Sequence, residues 1–523
     1  MSTASRTAAL RPQLAPGVTL AELIELTGAS PTGAGPTGAG HTVTGVTLDS
    51  RQVLPGDLYV ALPGRNQHGA RFAGAAVAAG AHAVLTDAAG AQEAGHLDAP
   101  VLVVGDPRRV MAGVAATIYG EPGAAMTMFA ITGTNGKTTT SFLLEAALRG
   151  AGLRTGVIGT IGYLLDGVAL EAARTTITTP ESPELQALLA VLAERGAQAG
   201  VMEVSSHALA LGRVDAITFD VSAFTNLGRD HLDFHGDEES YFEAKAGLFT
   251  PERTRAAVVN VDDRRGPVLV AQLRRAGVPV VTFSLSDPAA DFVVLDQRPR
   301  TDAPTQIALR TPVGSLSFAL GLPGEFNVRN AVTALAMLHV CGIDMGTGAE
   351  ALTTAQVPGR MQRVDLGPGA PTVFVDFAHT PQAVAAALAA VAGSRRIAVL
   401  GCGGDRDPQK REPIGAAAAA GAEVLVVTDD NPRSEDPASI RGQVLSGARA
   451  GKLQMGLRTD ILDGGDRRSA IRTGLDLARP GDVLVVMGKG HETGQQLGDV
   501  TLPFSDVDVV RDEWSRQVAD RSS

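Results

Sequence analysis

An apolar run at residues 126–131 breaks into Thr132-Gly133-Thr134-Asn135-Gly136-Lys137-Thr138-Thr139, and no other stretch of the chain restricts its fold so tightly. A strand, a glycine-rich turn and a helix in that order form a loop whose backbone N–H groups point at a bound anion. Gly133, Thr134, Asn135 and Gly136 supply the wrapping backbone. Lys137 reaches the terminal phosphates, the Thr138 hydroxyl suits Mg²⁺, and Thr139 continues the turn into the helix. Ile131 stands where the longer phosphate-loop pattern has its first glycine, so only the shorter pattern is met. A turn that merely capped a helix would not call for a lysine followed by two threonines. The chain lacks the Asn-Lys-x-Asp base-reading element of GTPases, so ATP is the expected nucleotide.

Lysine is scarce elsewhere. Of the 45 basic residues only Lys137, Lys245, Lys410, Lys452 and Lys489 are lysine. Arginine evidently serves wherever a generic positive charge is enough. The retained lysines are therefore candidates for tasks a guanidinium performs poorly: entering a phosphate cradle, or being covalently modified as an amine. With a net charge of −11 and no basic stripe, nucleic acid is not an expected partner. Two cysteines imply no disulfide framework, and no apolar run is long enough to span or insert into a membrane. A cytoplasmic protein acting on small-molecule substrates is expected, and a monomer.

At 523 residues the chain exceeds one core, and about three domains are expected. Pro31-Thr32-Gly33-Ala34-Gly35 nearly repeats as Pro36-Thr37-Gly38-Ala39-Gly40, which reads as a flexible surface loop in a region, 1–40, with few regular signals. Strands are predicted at 58–61, 83–86 and 101–104, with an alanine-rich helix between the first two. Short β-branched runs at 155–158, 200–204, 221–225 and 256–261 alternate with helical stretches, as in a mostly parallel sheet covered on both faces. A third α/β segment has apolar runs at 372–375, 396–400, 423–428 and 482–487. The predicted division is 1–124, a small α/β domain; 125–358, a central phosphate-loop domain; and 359–523, a Rossmann-like α/β domain.

Met202-Glu203-Val204-Ser205-Ser206-His207 follows a predicted strand, where ligands collect in open α/β sheets. Glu203 is a candidate Mg²⁺ ligand and Ser205 a candidate substrate donor. Thr225-Asn226-Leu227-Gly228-Arg229-Asp230-His231-Leu232-Asp233 is rich in short polar groups after another strand, and His231 is a candidate second metal ligand. Lys245 falls on a predicted helix, where a lysine is ordinarily solvated; its scarcity argues otherwise.

With these motifs in order, and with Asn327–Asn330, Pro358-Gly359-Arg360-Met361, residues 376–381 and Gly488-Lys489-Gly490-His491-Glu492 after them, the chain resembles the Mur ligases, ATP-dependent amide-forming enzymes of peptidoglycan precursor synthesis. The resemblance implies a UDP-substrate domain, a central ATPase and a C-terminal dinucleotide-fold-like domain. It implies ATP contacts from Asn327, Arg360, Asp376 and His379, and a catalytic set of Lys137, Glu203, His231 and Lys245. Lys245 resembles the family's carbamylated lysine, which as a carbamate joins Thr138, Glu203 and His231 around Mg²⁺.

Leu48-Asp49-Ser50-Arg51 with Arg65, Asn66 and Gln67, and Thr178-Thr179-Pro180-Glu181, resemble the UDP- and dipeptide-binding segments of the branch that adds the third residue of the stem peptide. The UDP-linked substrate would then meet Leu48, Ser50, Arg65, Asn66, Gln67, Thr178, Thr179, Ser205 and Arg213. Leu211 stands where some members have a contacting glutamine, which leaves Arg213 alone there. Asp429-Asp430-Asn431-Pro432-Arg433 resembles the form that accepts meso-diaminopimelate rather than L-lysine. Its implied contacts are Arg406, Asp430, Asn431, Pro432, Arg433, Gly488 and Glu492. The distal carboxylate of diaminopimelate calls for a fork of donors, which an arginine offers bidentately. A lysine-adding ligase and a folylpolyglutamate-synthase-like ligase are the alternatives. The second should lack the segment around Leu48.

Overall fold

The computed structural model describes residues 10–32, 42–64, 66–170, 177–228, 230–299, 303–391 and 395–522. The Gly/Pro near-repeat from Gly33 onward, Arg65 and Arg229 lie outside them. The chain packs as two compact units, Met1–Val293 with Val332–Gly348, and Val294–Ala331 with Ala349–Ser523.

The first unit opens with a five-stranded sheet formed by β1 (Ser30–Thr32), β2 (Gly45–Thr47), β3 (Asp57–Val60), β4 (Ala83–Thr86) and β5 (Val101–Val103), ordered β1-β5-β4-β3-β2. Only β1 is antiparallel to its neighbour. The three predicted strands are present, displaced by at most one residue, and the alanine-rich helix is Ala73–Ala78. The N-terminal region is more regular than its composition suggests. A helix at Leu20–Thr27 is held by a capping box, in which Thr19 accepts from the Glu22 N–H and the Glu22 carboxylate accepts from the Thr19 N–H. The Thr-x-x-Glu spacing was the available signal, and it buries Leu20 and Leu23.

The same unit carries the larger sheet: β6 (Thr127–Thr132), β7 (Thr155–Gly159), β8 (Gly162–Leu165), β9 (Val168–Ala169), β10 (Ala199–Glu203), β11 (Phe219–Phe224), β12 (Thr254–Asn260) and β13 (Val280–Ser284). Its order here is β9-β8-β7-β10-β6-β11-β12-β13. From β7 to β13 every neighbour is parallel; β8 and β9 add an antiparallel edge. Parallel strands buried on both faces read as continuous apolar runs, which is why these segments were legible. The register sets Glu203 opposite Ile131 and Met202 opposite Ile158. The carboxyl ends of β6, β7 and β10 therefore lie side by side, at the edge where open α/β sheets bind ligands.

In the second unit a hairpin, β14 (Thr305–Thr311) and β15 (Gly314–Leu320), precedes a six-stranded sheet. Its strands are β16 (Gln362–Val364), β17 (Thr372–Asp376), β18 (Arg396–Cys402), β19 (Val424–Asp429), β20 (Asp460–Gly465) and β21 (Val483–Met487), ordered β16-β17-β21-β18-β19-β20. All neighbours but β16 and β17 are parallel. One face packs Leu400, Leu425, Val427, Val485 and Met487 against Ile414, Ala418, Val444 and Ala448; the other packs Val399, Val426, Leu484 and Val486 against Ile471, Leu475 and Val510.

Candidate active site

In the first unit the phosphate loop joins β6 to α1 (Lys137–Gly150). Gly133 and Gly136 have φ of 149° and 90°, which side chains resist, and a Cβ on Gly133 would lie 2.0 Å from the Thr225 hydroxyl. The loop is clamped from the turn after β11. Thr225 Oγ donates to the Asn135 carbonyl at 2.7 Å, Asn226 bonds both the N–H and carbonyl of Asn135, and Thr134 Oγ accepts from the Gly228 N–H at 2.8 Å. Lys137 Nζ curls back to the carbonyls of Gly133 and Thr134 at 2.8 and 3.0 Å, so its ammonium sits inside the loop.

Glu203, at the end of β10, is wholly buried. One of its oxygens accepts from Thr138 Oγ at 2.8 Å and Thr160 Oγ at 3.0 Å; the other accepts from the Thr160 N–H at 2.9 Å. A Cβ on Gly159 would lie 2.1 Å from that second oxygen, so the carboxylate depends on a glycine beside it. Thr160 was not foreseen. The glycine and threonine closing the predicted strand after residue 158 were its only sequence signal.

Lys245, on α4 of its own series of short site helices (Ser182–Glu194 being α2, Ser206–Ala210 α3 and Glu238–Ala246 α4), is 1% exposed. Its Nζ donates to the Gly133 carbonyl at 2.9 Å and lies 4.5 Å from the centre of the Tyr241 ring. Burial first, and then the charge of Lys137, hold its pKa well below the ordinary lysine value. His231 has a φ of 52°; its ring packs edge-on to His207 at 4.8 Å and its Nε2 pairs with Asp230 at 3.4 Å. Among the described residues no group of three or more His, Cys, Asp and Glu side chains forms a cation cage. The oxygens beside the phosphate loop, Thr138 Oγ and the Glu203 carboxylate, are hard donors of the kind Mg²⁺ takes, and they fit that ion.

Next to them Thr179 Oγ donates to the Glu203 carbonyl at 2.8 Å and accepts from the Ser205 N–H at 3.1 Å. Ser205 Oγ caps α3 by accepting from the Ala208 N–H, and Thr178 Oγ meets Thr160 Oγ at 3.1 Å. Arg213 binds Glu181 through two nitrogens, at 3.1 and 2.8 Å, and donates to the Thr179 carbonyl at 2.9 Å. Thr178, Thr179, Ser205 and Arg213 are thus gathered against the phosphate-loop carboxylate. Leu48 packs on the core of the small sheet, Ser50 begins a short helical turn, and Asn66 and Gln67 are exposed on the loop closed by the Pro63–His68 bridge.

In the second unit Asn327 is buried; its amide donates to the Pro323 carbonyl at 2.7 Å and accepts from Asn330. Arg360 stacks on Phe377, its guanidinium 4.3 Å from the ring centre. His379 Nδ1 lies 2.8 Å from the Phe377 carbonyl. Asp376 is internal: its two oxygens accept from the N–H groups of Met361 at 2.7 Å and Ala378 at 2.8 Å. Desolvation raises its pKa, against the opposing charge of Arg360. Asp376 thereby joins the backbone next to Arg360 to the backbone next to His379.

The turns after β19 and β21 come together. Asn431 Nδ2 donates to Glu492 Oε2 at 2.8 Å; Lys489 Nζ donates to the same oxygen at 3.0 Å and to Asn431 Oδ1 at 3.1 Å. Among the described residues the other Glu492 oxygen has no hydrogen-bond partner. Lys489 is fully buried and was not among the residues expected at this site. Gly488, φ 116°, has no room for a Cβ, which would fall 2.5 Å from an Asp430 oxygen. Pro432 precedes Arg433, which has a φ of 52° and a guanidinium donating to the Gly404 carbonyl at 2.6 Å. Arg406 is exposed on the same 403–407 loop. Of the six described non-glycine residues with positive φ, His231, Met361, Asp405 and Arg433 all lie in these site loops, where such strain concentrates.

A phosphate loop ending in a hydroxyl–carboxylate pair, set over the carboxyl ends of parallel strands, defines an α/β enzyme that uses a nucleoside triphosphate. Family models narrow this: the Mur ligase family catalytic domain matches residues 42–119, the Mur ligase middle domain 131–338, and the Mur ligase glutamate ligase domain 359–490. The chain belongs to the Mur ligase family. It is 47% identical over 473 residues, 89% of this chain and 91% of the other, to the UDP-N-acetylmuramoyl-L-alanyl-D-glutamate--2,6-diaminopimelate ligase of Streptomyces coelicolor. It is 42% identical over 515 residues, 96% of this chain and 97% of the other, to the UDP-N-acetylmuramyl-tripeptide synthetase of Leifsonia xyli. A solved diaminopimelate ligase of the first type superposes with a TM-score of 0.67 at 33% identity, covering 91% of this chain and 96% of that one.

Proposed function

We propose that this chain is an ATP-dependent ligase of peptidoglycan precursor synthesis. It joins meso-diaminopimelate to the D-glutamate of UDP-N-acetylmuramoyl-L-alanyl-D-glutamate. The observation that carries the substrate choice is the pairing of the turns after β19 and β21: a carboxylate, Glu492, whose second oxygen has no hydrogen-bond partner among the described residues and suits an ammonium, and an arginine, Arg433, on the adjoining turn for the distal carboxylate.

The γ-phosphoryl group of ATP passes to the D-glutamyl carboxylate, giving an acyl phosphate and ADP. The diaminopimelate amine attacks the acyl carbon, phosphate leaves and the amine loses a proton. The protein's part is positioning and charge neutralisation. The Gly133–Thr139 backbone and Lys137 hold the phosphates, with Asn327, Arg360, Asp376 and His379 as further nucleotide contacts. Leu48, Ser50, Arg65, Asn66, Gln67, Thr178, Thr179, Ser205 and Arg213 hold the UDP-dipeptide. Asp430, Asn431, Pro432, Arg433, Arg406, Gly488 and Glu492 hold the amino acid. Thr138, Glu203, His231 and, as a carbamate, Lys245 would hold Mg²⁺, which when bound would offset charge on the transferring group. The unprotonated form of the Lys245 amine would add through its nitrogen to CO₂ and release a proton, giving an anionic oxygen donor in place of an uncharged nitrogen.

The three-part division 1–124, 125–358 and 359–523 assigns these tasks to a UDP-substrate, an ATPase and an amino-acid domain. Purified enzyme with ATP, Mg²⁺ and UDP-dipeptide, offered a panel of amino acids, tests the reading through phosphate release and product mass. Turnover should require diaminopimelate. Equal turnover with L-lysine, or turnover with a folate in place of the UDP-dipeptide, would overturn it.

A further inference from the structure

Arg467 opens α5 (Arg467–Leu477) and lies beneath both amino-acid turns of the second unit. The Arg467 and Asp506 side chains are both 0% exposed. Arg467 Nε donates to one Asp506 oxygen and Nη2 to the other, each at 2.7 Å. Nη2 also donates to the Met487 carbonyl at 3.0 Å, the last residue of β21. Nη1 faces the Asp429 carbonyl at 3.4 Å, the last residue of β19, and the Asp430 carboxylate at 3.9 Å. β18 separates β19 from β21 in the sheet, so one guanidinium reaches across a strand to tie the ends of its two neighbours.

A buried ion pair is a weak source of stability, because desolvating two charges offsets most of their attraction. Stability alone is therefore a poor account of this pair. The geometry offers a better one. The guanidinium makes four hydrogen bonds, two to Asp506 and one to each strand-end carbonyl, and the Asp430 carboxylate lies 3.9 Å from Nη1. A lysine ammonium could pair with Asp506 but has no fork with which to span both carbonyls. The residues beyond those carbonyls are Asp430 to Arg433 on one side and Gly488 to Glu492 on the other.

We infer that Arg467, anchored by Asp506, is a positioning residue that sets the separation of the two turns and thereby the fit of the incoming amino acid. The inference rests on the proposed function for the identity of that amino acid.

The test uses the full-length enzyme carrying Arg467→Lys. A second variant, Arg467→Met with Asp506→Leu, removes both buried charges at similar volume, a change buried pairs tolerate. In each folded variant KM for diaminopimelate should rise about 10- to 100-fold, the scale of a small displacement of a bound reactant. KM for ATP and for the UDP-dipeptide should stay within about twofold of the parent. A rise shared equally by all three substrates, or a fall in kcat alone that follows the folded fraction, is what a purely structural role predicts and overturns the inference. So does an unchanged KM for diaminopimelate. Should the parent enzyme use a different amino acid, the proposed substrate fails. Measuring KM for the amino acid that is used then judges Arg467 independently.

Discussion

Replacing Thr160 by valine keeps the side-chain shape and removes one hydroxyl. In the parent that hydroxyl donates to Glu203 at 3.0 Å and meets Thr178 Oγ at 3.1 Å. Glu203 is wholly buried and retains two donors in the variant, Thr138 Oγ and the Thr160 N–H. A hydrogen bond to a charged group contributes about 1.5–3 kcal/mol. If it acts through the placement of Glu203, the loss in rate is about 10- to 150-fold. The assay is steady-state phosphate release across a Mg²⁺ titration, beside a thermal melt. The expected result is a lower kcat and a higher Mg²⁺ requirement, with the fold intact. A Thr160→Val enzyme with the parent's rate and Mg²⁺ dependence would refute the view that Thr160 aims the metal-binding carboxylate.

Lys137→Ala should reduce turnover by on the order of 10²–10³-fold while leaving the fold intact, as loss of a charge contact at a transferring group commonly does; initial rates at saturating ATP check it. Lys245→Ala should be nearly inactive and partly rescued by added acetate, and Lys245→Arg should stay inactive; mass spectrometry in bicarbonate would show whether a carbamate is present. Because burial and Lys137 lower the Lys245 pKa in the folded state, the unfolded chain binds the extra proton between the folded and ordinary lysine values. Stability therefore gains with rising pH across that window, and Lys245→Met should remove this contribution in denaturant melts at a series of pH values. Arg433→Ala should cost roughly 2–5 kcal/mol of diaminopimelate affinity with ATP affinity unchanged, read by calorimetry; equal losses would make Arg433 structural.

The sequence by itself determined what neighbouring residues decide. The phosphate loop was legible because a strand, two glycines with positive φ, a lysine and a helix start must follow one another in the chain. Buried parallel strands were legible because both faces are covered and the run stays apolar. The Asp429–Arg433 turn was legible for a similar reason, since its residues are contiguous. The scarcity of lysine marked Lys137 and Lys245 for attention before any geometry was known.

Tertiary structure decided the contacts between distant segments. Thr160 meets Glu203 only because β7 and β10 are neighbours in the sheet. The Asp376 carboxylate accepts from the N–H of Ala378 in its own turn and from that of Met361 on a separate segment. Lys489 lies between Asn431 and Glu492, and Arg467 joins the ends of strands that are not adjacent in the sheet. Strand order and register choose these partners. Both are set by how helices and strands bury their apolar faces together, and that choice leaves no trace in the local spacing of polar residues.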